Sequence, residues 1–153
     1  MINPSLPTIE LSRHRISEDV MEVGGHEIIY DVLSSSACPS LPFFAGRYGG
    51  RYFVSREVPP YFQRAWIMHE VACLGSSEPD HCLRAVEEEM KHVPEGREKE
   101  YLESRIEFFD KALTLVKTMP NLFPSDFGTG AGSTLMRYQE LLSQYASSIL
   151  YRI

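Results

Sequence analysis

The sequence predicts an α+β fold, in which a small N-terminal antiparallel sheet packs with about four helices. Three observations predict it. Aromatic and β-branched residues gather around Gly49-Gly50 in the first third of the chain, apolar residues recur at helical spacing from Tyr61 onward, and the two kinds of segment do not alternate. Strands segregated from helices in this way argue for α+β over a wound α/β sheet.

In chain order, "HEIIYDVL" (His26 to Leu33) fits neither period cleanly and reads as a strand or a short helix. "PFFAGRYGGRYFVSREV" suggests a hairpin or tight turn at Gly49-Gly50, with Arg51 to Val54 as its firmer strand. Two or three short strands are expected in all. Pro60 can open a helix over about Tyr61 to Leu74, stopped by Gly75.

A second helix begins near "SEPDHCL", where Ser77 can cap, Pro79 is tolerated in the first turn and Asp80 stands at the capping-box position. Its apolar set is Leu83, Val86, Met90 and Val93, with Glu87 to Glu89 expected largely toward solvent. A third helix, about Glu98 to Lys117, carries the stripe Leu102, Ile106, Phe109, Leu113 and Val116. Lys99 with Glu103 and Glu107 with Lys111 can pair across turns on its wet side. The Gly-, Pro- and Ser-rich "NLFPSDFGTGAGS" reads as a surface loop, and a last helix from Thr134 to about Ile149 presents Leu135, Tyr138, Leu142, Tyr145 and Ile149.

The 153 residues suit one domain over 1–153, strand-rich from 20 to 58, helical from 61 to 150, with a flexible loop at about 119–133. With 43% apolar and 24% charged residues, the composition is that of a soluble globular protein. A net charge of −6 without any basic run argues against nonspecific nucleic-acid binding. No stretch approaches the roughly 20 apolar residues of a membrane span, and the N-terminus lacks the features of a secretory signal, so a cytoplasmic location is expected. Cys38, Cys73 and Cys82 are odd in number and not spaced as CxxC, so a disulfide scaffold is not expected.

The chemistry-bearing stretch is "WIMHEVACLG", Trp66 to Gly75. In HExxH, residues four apart share a helix face, so two histidines reach one zinc while the glutamate activates its water. Here His69 and Glu70 stand in the first two positions and Cys73 replaces the second histidine; thiolate is itself a good zinc ligand. His81 follows across a Gly-Ser-Ser turn and can fold back as a third ligand. The expected site is therefore His69, Cys73 and His81 around zinc, with Glu70 as the catalytic base.

The same residues have a structural reading. Helical geometry places Glu70 in an apolar arc that should face the core, where a carboxylate needs a metal site, a cleft or a partner such as Arg47, Arg51 or Arg56. The aromatic set Phe43, Phe44, Tyr48, Tyr52, Phe53, Tyr61 and Phe62 forms core or lines a groove. "GTGAGST", Gly128 to Thr134, lacks the lysine and spacing of a phosphate loop and reads as a lead into the last helix.

From Arg51 to about His81, the strand "RYFVSREVPP" followed by "WIMHEVAC" resembles the start of a small zincin-type metallopeptidase, in degenerate form. The resemblance implies that His69 is a zinc ligand and Glu70 the general base. With the second histidine replaced and no substrate-binding motif present, the favoured expectation is a noncatalytic interaction or accessory domain related to a minimal zincin-like fold. Its partner would be a protein or a second copy of the chain, with neither nucleic acid nor membrane involved. A zinc-dependent, peptidase-like hydrolase with a modified His/Cys metal site is the alternative.

Overall fold

The computed structural model describes residues 14–34, 44–48, 50–74, 81–118 and 127–151. Four strands come first: β1 (Arg15–Val23), β2 (His26–Leu33), β3 (Ala45–Tyr48) and β4 (Arg51–Ser55). Four helices follow: α1 (Pro60–Leu74), α2 (His81–Met90), α3 (Glu98–Thr118) and α4 (Phe127–Tyr151). The fold is α+β, as the segregated sequence pattern predicts.

The sheet differs from expectation in one pairing. β1 and β2 form an antiparallel hairpin, as do β3 and β4, yet the two hairpins join through parallel pairing of β2 with β4, in the order β1-β2-β4-β3. The sheet is therefore mixed and not wholly antiparallel. The physical reason lies in burial. Tyr30, Asp31, Val32 and Leu33 of β2 and Phe53, Val54 and Ser55 of β4 are all buried, so the two inner strands are covered on both faces, the setting in which parallel pairs occur. β1 was not among the expected strands because most of "RISEDVMEV" is exposed and charged, with Met21 its only fully buried side chain. Positive φ angles at Gly24 and Gly25 (57° and 81°) fit the tight turn to β2.

Asp31 is an acidic side chain at 0% exposure in the middle of this sheet. Arg51 donates to it through Nε at 3.0 Å and Nη2 at 2.8 Å, a two-pronged contact, and also reaches Glu18. Hydrogen bonding to Asp31, then to Glu18, raises the Arg51 pKa above its ordinary value. Arg51→Met should lower the thermal midpoint, and Arg51→Lys should recover only part of the loss, because an ammonium cannot reproduce the planar fork. Equal midpoints for the lysine variant and the wild type would contradict this account.

α1 begins at Pro60, where a missing N–H costs nothing, and Gln63 closes the turn before it by donating to the Val58 carbonyl at 3.0 Å. The helix packs on β3 and β4 and against α2, while α4 lies along α3 and touches α2. The residues proposed as a cap for α2 (Ser77, Pro79, Asp80) lie outside the described residues.

α3 matches its predicted span, and both expected surface pairs form, Lys99 with Glu103 at 3.9 Å and Lys111 with Glu107 at 2.9 Å. Its buried stripe is rotated from the expected one, running through Tyr101, Leu102, Arg105, Phe108, Phe109 and Ala112, with Ile106, Leu113 and Val116 only partly covered. α4 starts at Phe127, seven positions before the expected Thr134, so the backbone from Phe127 to Ser133 is helical and the loop reading does not hold there. Ala131, Thr134 and Tyr138 form its innermost line.

Aromatic side chains fill the centre. Phe62 packs edge-on against Tyr101, Trp66 edge-on against Phe108, and Phe109 lies against Tyr138, with ring centroids 5.0 to 5.6 Å apart. Most of the dense N-terminal aromatic set is core: Phe53 and Phe62 are buried, Phe44 and Tyr52 partly so, and Tyr61 is exposed. Phe43 and the Tyr48 side chain lie outside the described residues.

Candidate functional site: a buried carboxylate joining four helices

Glu89 on α2 is the centre of the site, at 0% exposure. The expectation that Glu87 to Glu89 turn toward solvent is corrected here: Glu87 is exposed and Glu88 half-buried, while Glu89 points inward. Helical spacing explains it. Position 89 is one turn beyond Ala85 and Val86, both at 0% exposure, so it falls on the buried stripe of α2.

A buried carboxylate survives only if its charge is balanced and its oxygens accept hydrogen bonds. Both conditions are met. On Oε1, the His69 Nδ1–H of α1 donates at 2.7 Å, and the Tyr138 hydroxyl of α4 donates as well. On Oε2, the Tyr101 hydroxyl of α3 donates, and Arg105, one turn further along α3, forms an ion pair at 3.3 Å. An ionised carboxylate can only accept, which places the proton of His69 on Nδ1. The Tyr138 hydroxyl also lies 3.4 Å from that nitrogen.

Arg105, at 2% exposure, has further anchors. Its Nε–H donates to the Tyr138 hydroxyl at 3.0 Å, and its guanidinium lies 3.8 Å above the Trp66 ring, with Phe109 and Tyr138 at 5.1 and 5.2 Å. A desolvated cation over an indole face contributes about 2 kcal/mol. The stack therefore helps to keep a charged side chain inside.

The titration behaviour follows from this geometry. Burial pushes the Glu89 carboxyl upward, but the charge of Arg105, then His69, and the hydrogen bonds from His69 and Tyr101 outweigh it and hold the group below its ordinary value. Burial also raises Tyr101 and Tyr138 well above theirs, and for both the neighbouring Glu89 charge adds to the rise. Burial lowers Arg105, yet Glu89 and the two tyrosines more than reverse this. Glu89 is ionised, Arg105 charged and both phenols neutral near pH 7.

The sequence-predicted residues occupy this region unevenly. His69 is part of the network, as the first-named member of the His-Glu pair, but the glutamate it meets is Glu89 from the next helix. Glu70 is buried at 5% exposure on α1, as its place in the apolar arc implies. Of the arginines considered for it, Arg51 is engaged by Asp31 and Glu18, and Arg47 lies over the Tyr52 ring at 5.7 Å. Cys73 is a buried cysteine outside any disulfide, one turn after His69. His81 opens α2, and its side chain lies outside the described residues. Among the described residues no three His, Cys, Asp or Glu side chains come together as a metal site.

A His-carboxylate pair beside two phenols has the groups needed for proton transfer, but an acid or base must come within hydrogen-bond reach of a reacting atom. At 0 to 2% exposure, His69, Glu89, Tyr101, Arg105 and Tyr138 meet each other and their helices. A cleft that shares Trp66 with the cluster opens between Phe44, Val58, Pro59 and Phe108, with Glu57, Glu107 and Lys111 also lining it. Its volume of about 160 Å³ is below the several hundred typical of small-molecule sites.

Sequence reasoning missed Glu89, Tyr101 and Arg105, although a signal was present. Glu89 sits at i+3 and i+4 from the buried Val86 and Ala85, and Arg105 at i±3 and i±4 from the buried Leu102, Phe108, Tyr101 and Phe109, so a strict helical projection would have set both on the inner stripes, with Tyr101 one turn before Arg105 on the same line. Comparison of the chain with protein-family models, curated proteins and solved structures gives no match.

Proposed function

We propose that this chain is a noncatalytic interaction or accessory domain. The observation that carries the reading is the closure of the chemistry-bearing cluster. His69, Glu89, Tyr101, Arg105 and Tyr138 are buried and bonded to one another across the four helices they come from, so the cluster fastens the fold, and recognition falls to the surface. That surface includes large apolar side chains left in water, among them Ile16, Val20 and Ile29 on the first hairpin. No helix among the described residues is long and apolar enough to cross a membrane, in keeping with protein partners.

One observation favours a second reading, the zinc-dependent hydrolase. A histidine whose Nδ1–H is held by a carboxylate is the arrangement that orients metal-binding imidazoles. In that reading His69 would bind zinc through Nε2, with Cys73 and His81 as co-ligands and Glu70 as base.

Metal analysis separates the two. Purified from zinc-supplemented growth, the protein should hold far less than stoichiometric zinc, its thermal midpoint should be unmoved by a chelator, and it should not cleave peptides. Stoichiometric zinc that disappears in Cys73→Ser, a variant that keeps the side-chain volume, together with zinc-dependent peptide hydrolysis, would overturn the proposal.

A further inference from the structure

The β1–β2 hairpin shows two different faces. Met21 and Tyr30 are buried at 3% and 1% exposure, with Val23 and Ile28 partly covered, and these four belong to the inner face. Strand alternation then puts Val20, Glu22, Glu27 and Ile29 on the outer one. The register sets Val20 directly opposite Ile29 and Glu22 directly opposite Glu27. Val20 and Ile29 are 42% and 44% exposed, a bare β-branched pair.

The two glutamates beside it are the unusual feature. Like charges directly opposed across an antiparallel ribbon destabilise it. Among the described residues neither Glu22 nor Glu27 forms an ion pair, whereas Glu18, further along the same face, is met by both Arg15 and Arg51. The Gly24-Gly25 turn, with both φ angles positive, fixes the register, so the two carboxylates stay opposed.

An exposed aliphatic pair next to an uncompensated acidic pair is complementary to alternating apolar and basic residues. A second copy of the chain fits poorly, because it would bring the same carboxylates toward each other. We infer that the outer face of the β1–β2 hairpin docks a basic, amphipathic peptide segment of another protein. Its apolar side chains cover Val20 and Ile29, and a lysine or arginine sits between Glu22 and Glu27. This assignment rests on the interaction-domain reading and gives it a partner chemistry.

The test titrates the full chain, by fluorescence anisotropy, into three labelled synthetic peptides of equal length: alternating Lys and Val, alternating Lys and Ser, and alternating Glu and Val. The Lys/Val peptide should bind best, and raised salt should weaken it. Val20→Ser with Ile29→Ser, or Glu22→Gln with Glu27→Gln, should each weaken it by about tenfold. All four side chains stand in water, so the variants stay folded, each with a cooperative thermal transition. Glu22→Lys with Glu27→Lys should turn the preference to the Glu/Val peptide.

Equal binding of the Lys/Ser peptide, or affinity unchanged in the variants, overturns the assignment. Self-association abolished by the Val20 and Ile29 substitutions also overturns it, and so does preference of the unaltered chain for the Glu/Val peptide; both leave the interaction-domain reading standing. Cleavage of a peptide by the zinc-loaded chain would instead overturn that underlying reading.

Discussion

Glu89→Ala is expected to cost about 3–5 kcal/mol, the largest loss from any single substitution in this protein. The change removes the carboxylate paired with Arg105 inside the helices and strips an acceptor from His69, Tyr101 and Tyr138. An uncompensated guanidinium cannot escape to water from 2% exposure without opening α3 from α1 and α4. Against a total stability of about 5–15 kcal/mol for a small domain, such a loss is enough to leave much of the population unfolded at moderate temperature.

Urea denaturation measures it, and a double-mutant cycle identifies the cause. Arg105→Leu alone should be severe for the mirror-image reason, since it leaves the Glu89 carboxylate buried without its cation. Glu89→Leu with Arg105→Leu should be less damaging than the two single losses added together, by about 2 kcal/mol or more. Strict additivity would mean that the two charges do not act as a pair, and the description of the site would fail.

The pH dependence of folding should show two limits set by the same cluster. Glu89 has a folded pKa below its ordinary value of 4.5, so its stabilising contribution is complete above that value. The contribution is then lost as pH falls through the lower, folded pKa. Tyr101 and Tyr138 run the other way. Their folded pKa values lie well above the ordinary 10.0, so the folded state retains protons that the unfolded chain releases.

Stability from the tyrosines is therefore present below pH 10 and lost as pH rises beyond it. A tyrosinate formed beside Glu89 would set two negative charges together in a space without water, so unfolding should precede ionisation. Tyrosinate absorbance should show exposed phenols such as Tyr61 titrating smoothly, with a second, cooperative rise that coincides with loss of helical circular dichroism. Smooth titration of every tyrosine in a chain that stays folded would contradict the burial of Tyr101 and Tyr138.

How far the sequence discloses this arrangement depends on what sets each element. α1 and α3 follow from apolar periodicity and proline punctuation, so their spans are legible to within a residue or so. β1 is not, because an edge strand with a mostly wet surface carries little hydrophobic signal, and its identity comes from pairing with β2. The parallel joint between β2 and β4 was equally hidden, since it is decided by which strands end up covered on both faces.

At the site, His69 draws attention because a histidine in an apolar run is conspicuous, whereas Glu89 is camouflaged by the two glutamates before it, neither of them buried. Arg105 is camouflaged likewise, in a helix rich in surface charge. Composition averages over faces and only the projection separates them. The expected site paired His69 with its neighbour in sequence, Glu70, as the catalytic base, whereas the carboxylate that contacts His69 comes from the following helix.

The mixed sheet also bears on the order in which the chain can assemble. The β1–β2 and β3–β4 pairings are each closed by a short turn and need only local search. The β2–β4 pairing joins residues 30–33 to 52–55 and must wait for the intervening chain to close, an entropic delay that grows with loop length. Two preformed hairpins that dock late along their inner strands are the economical route. Until they dock, Asp31 has only the 3.5 Å contact of Arg15 within its own hairpin and lacks the Arg51 fork, so the strongest electrostatic contact of the sheet forms together with its topological closure.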